Sequence, residues 1–154
     1  MVQNLLGFIC FLATFCSCAS TKSSKMLTIT QGITGVVYEV RGNQMPMIGE
    51  EPPKQKGMAA EVLVYEKTNI NQTVKDVTAG FYTSITTKQI ATTHTDSVGK
   101  FSIVLPLGTY SLFVKINDKL YANLFNQYND INIVTVDSGK IAETSIRVSY
   151  KAFY

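Results

Sequence analysis

The sequence has no tryptophan, a single histidine, four prolines and three cysteines among its 154 residues. All three cysteines lie within the first 18 positions, so the rest of the chain has no thiol from which to form a disulfide. The one histidine, His94, excludes sites that need several imidazoles. Without tryptophan, the chain also lacks the largest aromatic side chain for stacking on a ligand. Little of the side-chain chemistry typical of an enzyme is therefore present.

Blocks of like charge are also absent. The chain carries 14 Lys and Arg against 11 Asp and Glu, a net charge of +3 that is spread thinly. Nucleic-acid-binding proteins concentrate basic residues on one face, so we expect no nucleic-acid partner. We also expect no metal or other cofactor. Glu50 and Glu51 are an acidic pair suited to Ca²⁺, but they lack the ordered Asp/Asn series of a calcium loop, and a solvated loop is the favoured interpretation.

The amino-terminal segment has the pattern of a secretory leader. Its apolar run, Leu5 to Phe15, is shorter than the roughly 20 residues that a membrane-spanning helix needs. The run ends in small residues, and Cys18 follows the small Ser17. This pattern predicts a lipoprotein signal peptide over 1–17 and a thioether-linked lipid on Cys18, which would make the membrane a partner. A plain secretory leader, in which the cysteines serve only as small hydrophobic residues, is the alternative.

The residues that follow divide into two parts. Positions 18–31 begin polar and small and carry Lys22 and Lys25, which predicts a flexible tether between the lipid and a domain. From Gly32 the chain is rich in Val, Ile, Tyr, Phe and Thr, with Gly, Asn, Asp and Pro between the apolar stretches. This composition and the period-two alternation predict strands at 32–40, 61–68, 100–105, 109–116, 131–136 and 143–150, with one or two more in 80–95.

Two turns are predicted in the second half of the chain. In 95–103, Asp96 is placed to accept backbone N–H groups two residues on, and Gly99 supplies a positive φ, so the segment predicts a hairpin. In 105–115, Pro106 ends one strand and Gly108 turns the chain into the next. Short strands separated by such turns, with no helical periodicity, indicate an all-β antiparallel sandwich of about seven strands.

These turns carry the motifs T-D-x-x-G-x-F and P-x-G-x-Y, preceded by a Gly-x-Val strand at 35–37 and by Val62 and Val64. Together they resemble the carboxypeptidase regulatory-like domains, with matches at Thr95, Asp96, Gly99, Phe101, Pro106, Gly108 and Tyr110. The resemblance covers 32–154 and implies a seven-stranded antiparallel transthyretin-like (prealbumin-like) β-sandwich. It also implies an accessory role without catalysis.

A narrower resemblance is to a group of small Bacteroidetes lipoproteins built on this domain. The segments concerned are RGNQMP (41–46), LFVK (112–115), LYANLFN (120–126) and SYKAFY (149–154). Tyr38 departs from that group, in which a tryptophan is expected. The resemblance implies an outer-membrane lipoprotein of the cell envelope. No acidic residues directly follow Cys18, which departs from the group's surface-export pattern and predicts a periplasm-facing position.

Candidate ligand contacts lie in the segment 118–130. Tyr121, Phe125 and Tyr128 alternate there with asparagines and a glutamine, a mixture suited to stacking on sugar rings and to hydrogen-bonding hydroxyls. The alternative is that Tyr121 and Phe125 cap the core while the asparagines form turns. The loop 43–58 either folds back over the sandwich or forms a contact surface. Ser97, in an Asp-Ser-Val sequence, resembles a Bacteroidetes O-glycosylation site.

Taken as a whole, these features predict a non-catalytic cell-envelope lipoprotein with a binding or structural module and an envelope protein or glycan as its partner. One alternative is a carbohydrate- or peptide-binding accessory of an outer-membrane uptake system. The other is a cryptic hydrolase, which would need His94 as its general base.

Overall fold

The computed structural model of the chain describes residues 30–45, 49 and 55–154. The predicted signal peptide 1–17, Cys18, the acidic pair Glu50–Glu51 and half of the loop 43–58 lie outside these residues. Within them the fold is all-β, as predicted, and the one helical element is a single 3-10 turn at Ile70–Gln72. None of the described residues forms a helix of the length and hydrophobicity required to cross a membrane.

The described residues form eleven strands. In chain order they are β1 Gly32–Asn43, β2 Lys56–Gly57, β3 Glu61–Glu66, β4 Thr73–Lys75, β5 Phe81–Ile85, β6 Gln89–His94, β7 Lys100–Val104, β8 Gly108–Ile116, β9 Lys119–Tyr121, β10 Ile133–Val136 and β11 Ile141–Phe153. The six long predicted strands all exist, and 80–95 contains two. The predicted number was too low because β2, β4 and β9 have two or three residues each, too few to show alternation.

One sheet is built around β1. Strand β11 pairs with one edge of β1, and β7 and β2 pair with successive parts of its other edge. The β1–β11 pairing is parallel, from Gly32 opposite Ile141 onward, which corrects the prediction of a wholly antiparallel sandwich. Parallel neighbours need a long connection, and here nearly the whole domain separates the two strands. Nothing in the local pattern of either strand carries that information.

The other sheet has the order β4-β5-β9-β8-β3-β6. Strand β3 pairs along one edge of β8, while β10 and β9 pair with the beginning and the end of its other edge. The segment 122–132, which connects β9 to β10, therefore leaves and rejoins the same edge of β8. This arrangement holds the segment close to the sheet.

The predicted hairpin at 95–103 is wrong, although its turn chemistry is right. The Asp96 carboxylate accepts the N–H groups of Val98 at 2.9 Å and Lys100 at 2.8 Å, and Gly99 has a φ of 83°. The strands on either side belong to different sheets, however, since β6 pairs with β3 and β7 pairs with β1. An Asp-centred turn reverses the chain without deciding whether the two strands pair with each other.

The main core lies between the two sheets. Alternate inward residues of β1, β3, β7, β8 and β11 form it, among them Ile33, Val37, Val62, Val64, Phe101, Leu112, Val114, Ile146 and Val148. A second buried cluster comprises Leu63, Tyr65, Tyr82, Phe113, Ala122 and Ile131. Because Phe113 of β8 is as inaccessible as the inward-facing Leu112 and Val114, β8 is covered on both faces. The alternation rule, which assumes one solvated face, does not predict that second cluster.

Candidate functional site

A hydrogen-bonded carboxylate organises the segment 122–132. Asp130 is 3% exposed, and its carboxylate accepts hydrogen bonds from the side-chain amides of Asn126 at 3.0 Å and Asn69 at 3.2 Å. Lys67 Nζ lies 3.0 Å from the same carboxylate. The bond from Asn126, followed by those from Lys67 and Asn69, holds the pKa of Asp130 below its usual value. The segment is thus anchored to the sheet at Asp130.

The same asparagine shapes the loop from within. Asn126 Oδ1 accepts the backbone N–H groups of Tyr128 and Asp130, each at 2.9 Å. Asn129 has a φ of 62°, in the left-handed region that asparagine tolerates better than most residues. The loop is therefore preorganised by its own side chains, and its conformation does not depend on a ligand. The sequence-based expectation that the asparagines make turns is confirmed here.

The three predicted aromatic contacts do not share one surface. Phe125 is 46% exposed and Tyr128 is 68% exposed, whereas Tyr121 is only 2% exposed. The ring of Tyr121 packs edge-on against Phe81 in the main core, at 5.0 Å between centroids. Tyr121 is therefore a core residue, as the alternative interpretation held, and it drops out as a stacking platform. Phe125 does not cap the core and stays a candidate together with Tyr128.

Phe125 borders a surface depression of about 320 Å³. Phe81 and Tyr82 of β5 also line it, and the turn between β4 and β5 forms its opposite side, with Asp76, Thr78 and Gly80. Gly80 is required in this turn, because its φ is 81° and a Cβ would lie 2.9 Å from the Tyr121 ring. The volume lies at the lower end of the roughly 300–1,000 Å³ usual for ligand sites.

An ion pair fixes the turn beside this depression. The Asp76 carboxylate lies 2.7 Å from Lys119 Nζ and accepts the N–H of Thr78 at 3.0 Å. These two interactions, led by the one from Lys119, lower the pKa of Asp76. The side chain of Lys119 is 46% exposed and lines an adjoining depression, while Asp76 itself lines this one. The depression therefore combines an apolar floor with a charged edge.

Two further depressions meet the first at Thr78. One, of about 320 Å³, is bordered by Asn123, Ser149 and Tyr150, and the other, of about 210 Å³, by Lys119 and Tyr150. Asp76 and Thr78 were not predicted from the sequence as neighbours of Phe125. The only available signal was Asp76-Val77-Thr78, which is a turn pattern, and a turn pattern does not show what lies across from it.

His94 lies exposed at the end of β6, as predicted, opposite Glu61 of β3. The Glu61 carboxylate faces Lys115 Nζ at 3.8 Å. The next hydroxyl along the chain, Thr95 Oγ1, donates to the carbonyl of Met58 and accepts the N–H of Ala60, each at 2.7 Å. That hydroxyl is committed to holding the chain between β2 and β3, so it is not placed as a nucleophile for His94.

Ser97 is exposed in the Asp96 turn, and Met45 is exposed where β1 leaves the sheet. Gln31, the last residue of the predicted tether, is bound to the domain, with its amide donating to the Leu105 carbonyl at 2.9 Å and accepting the N–H of Gly139 at 2.8 Å. Over residues 30–45, 49 and 55–154, no three His, Cys, Asp or Glu side chains gather into a metal-binding group.

No protein-family model, curated protein or solved structure matches this chain.

Proposed function

We propose that this chain is a non-catalytic lipoprotein of the cell envelope whose β-sandwich binds a glycan at the depression between Phe125 and the β4–β5 turn. The observation that carries the proposal is the position of Phe125. It is an aromatic ring left nearly half exposed at the border of a depression, on a loop that Asn126 and Asp130 hold rigid.

The chemistry of the depression suits a sugar. An aromatic face packs against the C–H groups of a pyranose ring, and the depression offers the Thr78 hydroxyl for a sugar hydroxyl group. The two adjoining depressions add the Lys119 ammonium and the Asn123 amide. Because the loop is already ordered, binding would cost little additional conformational entropy. An extended peptide of an envelope protein is the competing ligand, and Tyr128 would then extend the contact surface.

The carboxypeptidase regulatory-like, transthyretin-type assignment is part of this proposal, and the structural roles of the motif residues support it. Gly99 sits where a Cβ would lie 2.1 Å from the Val37 carbonyl, and Phe101 is 4% exposed. The Tyr110 hydroxyl donates to the Pro106 carbonyl at 3.0 Å. These motif positions have structural reasons to be what they are, which fits a binding accessory whose motif describes a fold and not a reaction.

The location is proposed from the leader. A lipid on Cys18 followed by a short tether would hold the sandwich near the inner leaflet of the outer membrane, facing the periplasm. Lys22 and Lys25 would lie close to anionic head groups there. A role as an accessory of an outer-membrane uptake system is compatible with this placement.

A glycan array probed with the full chain in detergent tests the proposal. We expect binding to at least one envelope or dietary glycan class, and Phe125→Ala should weaken it by roughly 2- to 10-fold, the range that a contact of about 0.5–1.5 kcal/mol gives. Phe153→Ala is the matched control, because Phe153 is 70% exposed but lies on β11, away from the depression. Equal binding by the Phe125 variant and the unaltered chain, or equal losses in both variants, would exclude the depression as the site.

A further inference from the structure

Strand β11 leaves one long edge open. Among the described residues it pairs only with β1, and it runs for 13 residues, longer than any other strand. Exposed strand edges present unpaired N–H and C=O groups that pair readily with another strand. The edge of β11 is therefore the largest backbone surface in the described part of the chain without a partner.

The hydrogen bonds show which backbone groups face outward. The N–H of Gly32 donates to the carbonyl of Lys140 at 3.1 Å, so the backbone of Lys140 faces β1. Alternation along the strand then turns the N–H and C=O groups of four residues to the open side, namely Ile141, Glu143, Ser145 and Arg147. The open stretch ends at Ser149, whose N–H is occupied by the Tyr121 hydroxyl at 3.1 Å.

The edges at the two ends of the second sheet are less available for pairing with another strand. Strand β4 at the end of the second sheet has three residues. At the other end of that sheet, β6 approaches β7 of the first sheet, and the Thr93 hydroxyl lies 3.5 Å from the Ser102 carbonyl. That contact closes one side of the sandwich. On the β11 side, β10 of the other sheet also approaches β11, but among the described residues no strand pairs with that edge.

The charged side chains on β11 indicate which strand would pair with its open edge. Glu143 and Arg147 point to the same outer face of β11. The residues that alternate with them, Ile146 and Val148, lie in the core on the opposite face. Glu143 has no ion pair with any described residue, and the guanidinium of Arg147 lies over the Tyr154 ring at 5.5 Å. The two charges lie two positions before and two positions after Ser145, so an antiparallel copy centred on Ser145 would place each Glu143 opposite an Arg147.

We propose that β11 is a self-association edge, at which the strands of two copies of this chain pair antiparallel about a two-fold axis at Ser145. Glu143 of each copy then faces Arg147 of the other, and the residues whose backbone groups point outward meet as hydrogen-bonded pairs. The interface joins the two β1–β11 sheets into one continuous sheet. No residue of β11 lines the depression beside Phe125, and the proposed dimer does not rest on a glycan site there.

A cysteine at the axis tests the register. In a hydrogen-bonded antiparallel pair the Cα atoms lie about 5.5 Å apart, inside the span of about 4.4–6.8 Å that a disulfide bridges. The full chain carrying Ser145→Cys, expressed with its leader and oxidised in the envelope, should form a disulfide-linked dimer on a non-reducing gel. Ser102→Cys is the control, since Ser102 is exposed on β7 of the same sheet. The unaltered chain, expressed in the same way, gives the background.

A charge exchange tests the pairing without cysteine. Glu143→Arg should lower the association constant for dimer formation by the full chain in detergent about tenfold. This equals a loss of about 1.4 kcal/mol of association free energy, shared over two symmetric cross-strand pairs. Adding Arg147→Glu should restore it, because the exchanged charges again face each other. Sedimentation equilibrium measures both. Resistance to proteolysis confirms that each variant is folded.

A dimer specific to Ser145→Cys, together with rescue by the double exchange, would support the proposal. A monomeric unaltered chain at all concentrations, an equal yield of dimer from Ser102→Cys, or no effect of the charge variants would overturn it. Capture of a different envelope protein by the Ser145 cysteine in place of a second copy would also overturn it.

Discussion

The hydroxyl of Tyr121 accepts the backbone N–H of Ser149 at 3.1 Å and so ties β9 of one sheet to β11 of the other. Ser149 lies where β11 has an extra residue against β1, between the pairs Glu39–Val148 and Arg41–Lys151. The N–H of Ser149 faces away from β1, and a side chain from the facing sheet supplies its acceptor. One phenol thereby joins the sheets and ends the open edge of β11.

We therefore predict that Tyr121→Phe lowers the free energy of unfolding by about 1–3 kcal/mol, the cost of leaving a partly buried N–H without an acceptor. Urea unfolding followed by tyrosine fluorescence measures it. Tyr128→Phe is the control, because that ring is 68% exposed, and it should leave the urea midpoint unchanged. Equal effects in the two variants would contradict the assigned role of the Tyr121 hydroxyl.

Lipidation is predicted at Cys18. Metabolic labelling with an alkyne fatty acid should mark the chain, and Cys18→Ala should abolish the mark and release the protein from membranes, because the acyl chains would be its only anchor. Cys16→Ala should keep both. Label that survives in the Cys18 variant and disappears in the Cys16 variant would place the lipid on Cys16. Membrane binding without any label would contradict the lipoprotein proposal.

Phe101→Ala should destabilise the fold by roughly 3–5 kcal/mol, because Phe101 is 4% exposed in the main core and its removal leaves a cavity. Val104→Ala on the same strand is the control, since Val104 is 67% exposed and should change stability by no more than about 0.5 kcal/mol. Chemical denaturation of both variants measures the difference. A loss below about 1 kcal/mol for Phe101→Ala would mean that β7 presents its other face to the core.

The lowered pKa of Asp130 predicts how the free energy of unfolding depends on pH. Its folded-state pKa is lowered, so the unfolded chain binds protons more readily, and the carboxylate stabilises the fold above the unfolded pKa of about 3.9. That contribution is lost as the pH falls through the folded-state pKa. Asp76, with a pKa shifted in the same direction, adds to the loss. Urea midpoints recorded from about pH 7 down to about pH 2 should therefore fall steeply at the acid end.

In this series, Asp130→Asn should be less stable at neutral pH and should show a shallower acid decline than the unaltered chain. Asp137→Asn is the control, because the side chain of Asp137 is 62% exposed and pairs only with Lys140, three residues on. Parallel pH profiles for Asp130→Asn and the unaltered chain would show that the network around Asp130 does not stabilise the loop.

His94→Gln separates the binding proposal from the hydrolase alternative. His94 is exposed at the end of β6, so we expect a change in stability within about 0.5 kcal/mol and full rescue of a deletion strain. A strain that depends on the binding surface should instead fail with Phe125→Ala combined with Tyr128→Ala. Rescue by the double aromatic variant and failure of an equally exported His94→Gln would favour catalysis.

The local structure of this protein was predictable from its amino-acid sequence. The strands of β1, β3, β7, β8 and β11, the Asp96–Gly99 turn and the asparagine turns near Asn126 were predicted, because alternation and turn chemistry act over a few residues. The contact surface proposed for the aromatic segment 118–130 stays a prediction. Which of its rings would reach solvent was left open between two interpretations.

Strand pairing and contacts between residues distant in sequence became known only from the tertiary structure. The Asp96 turn joins different sheets, β1 and β11 pair in parallel, and Tyr121 is buried while Phe125 borders a depression with Asp76 and Thr78. These arrangements depend on contacts between residues far apart in the chain, and each hydrophobic strand has several partners of nearly equal merit. The choice among them is made by the summed burial of both sheets, a quantity that no short stretch of sequence contains.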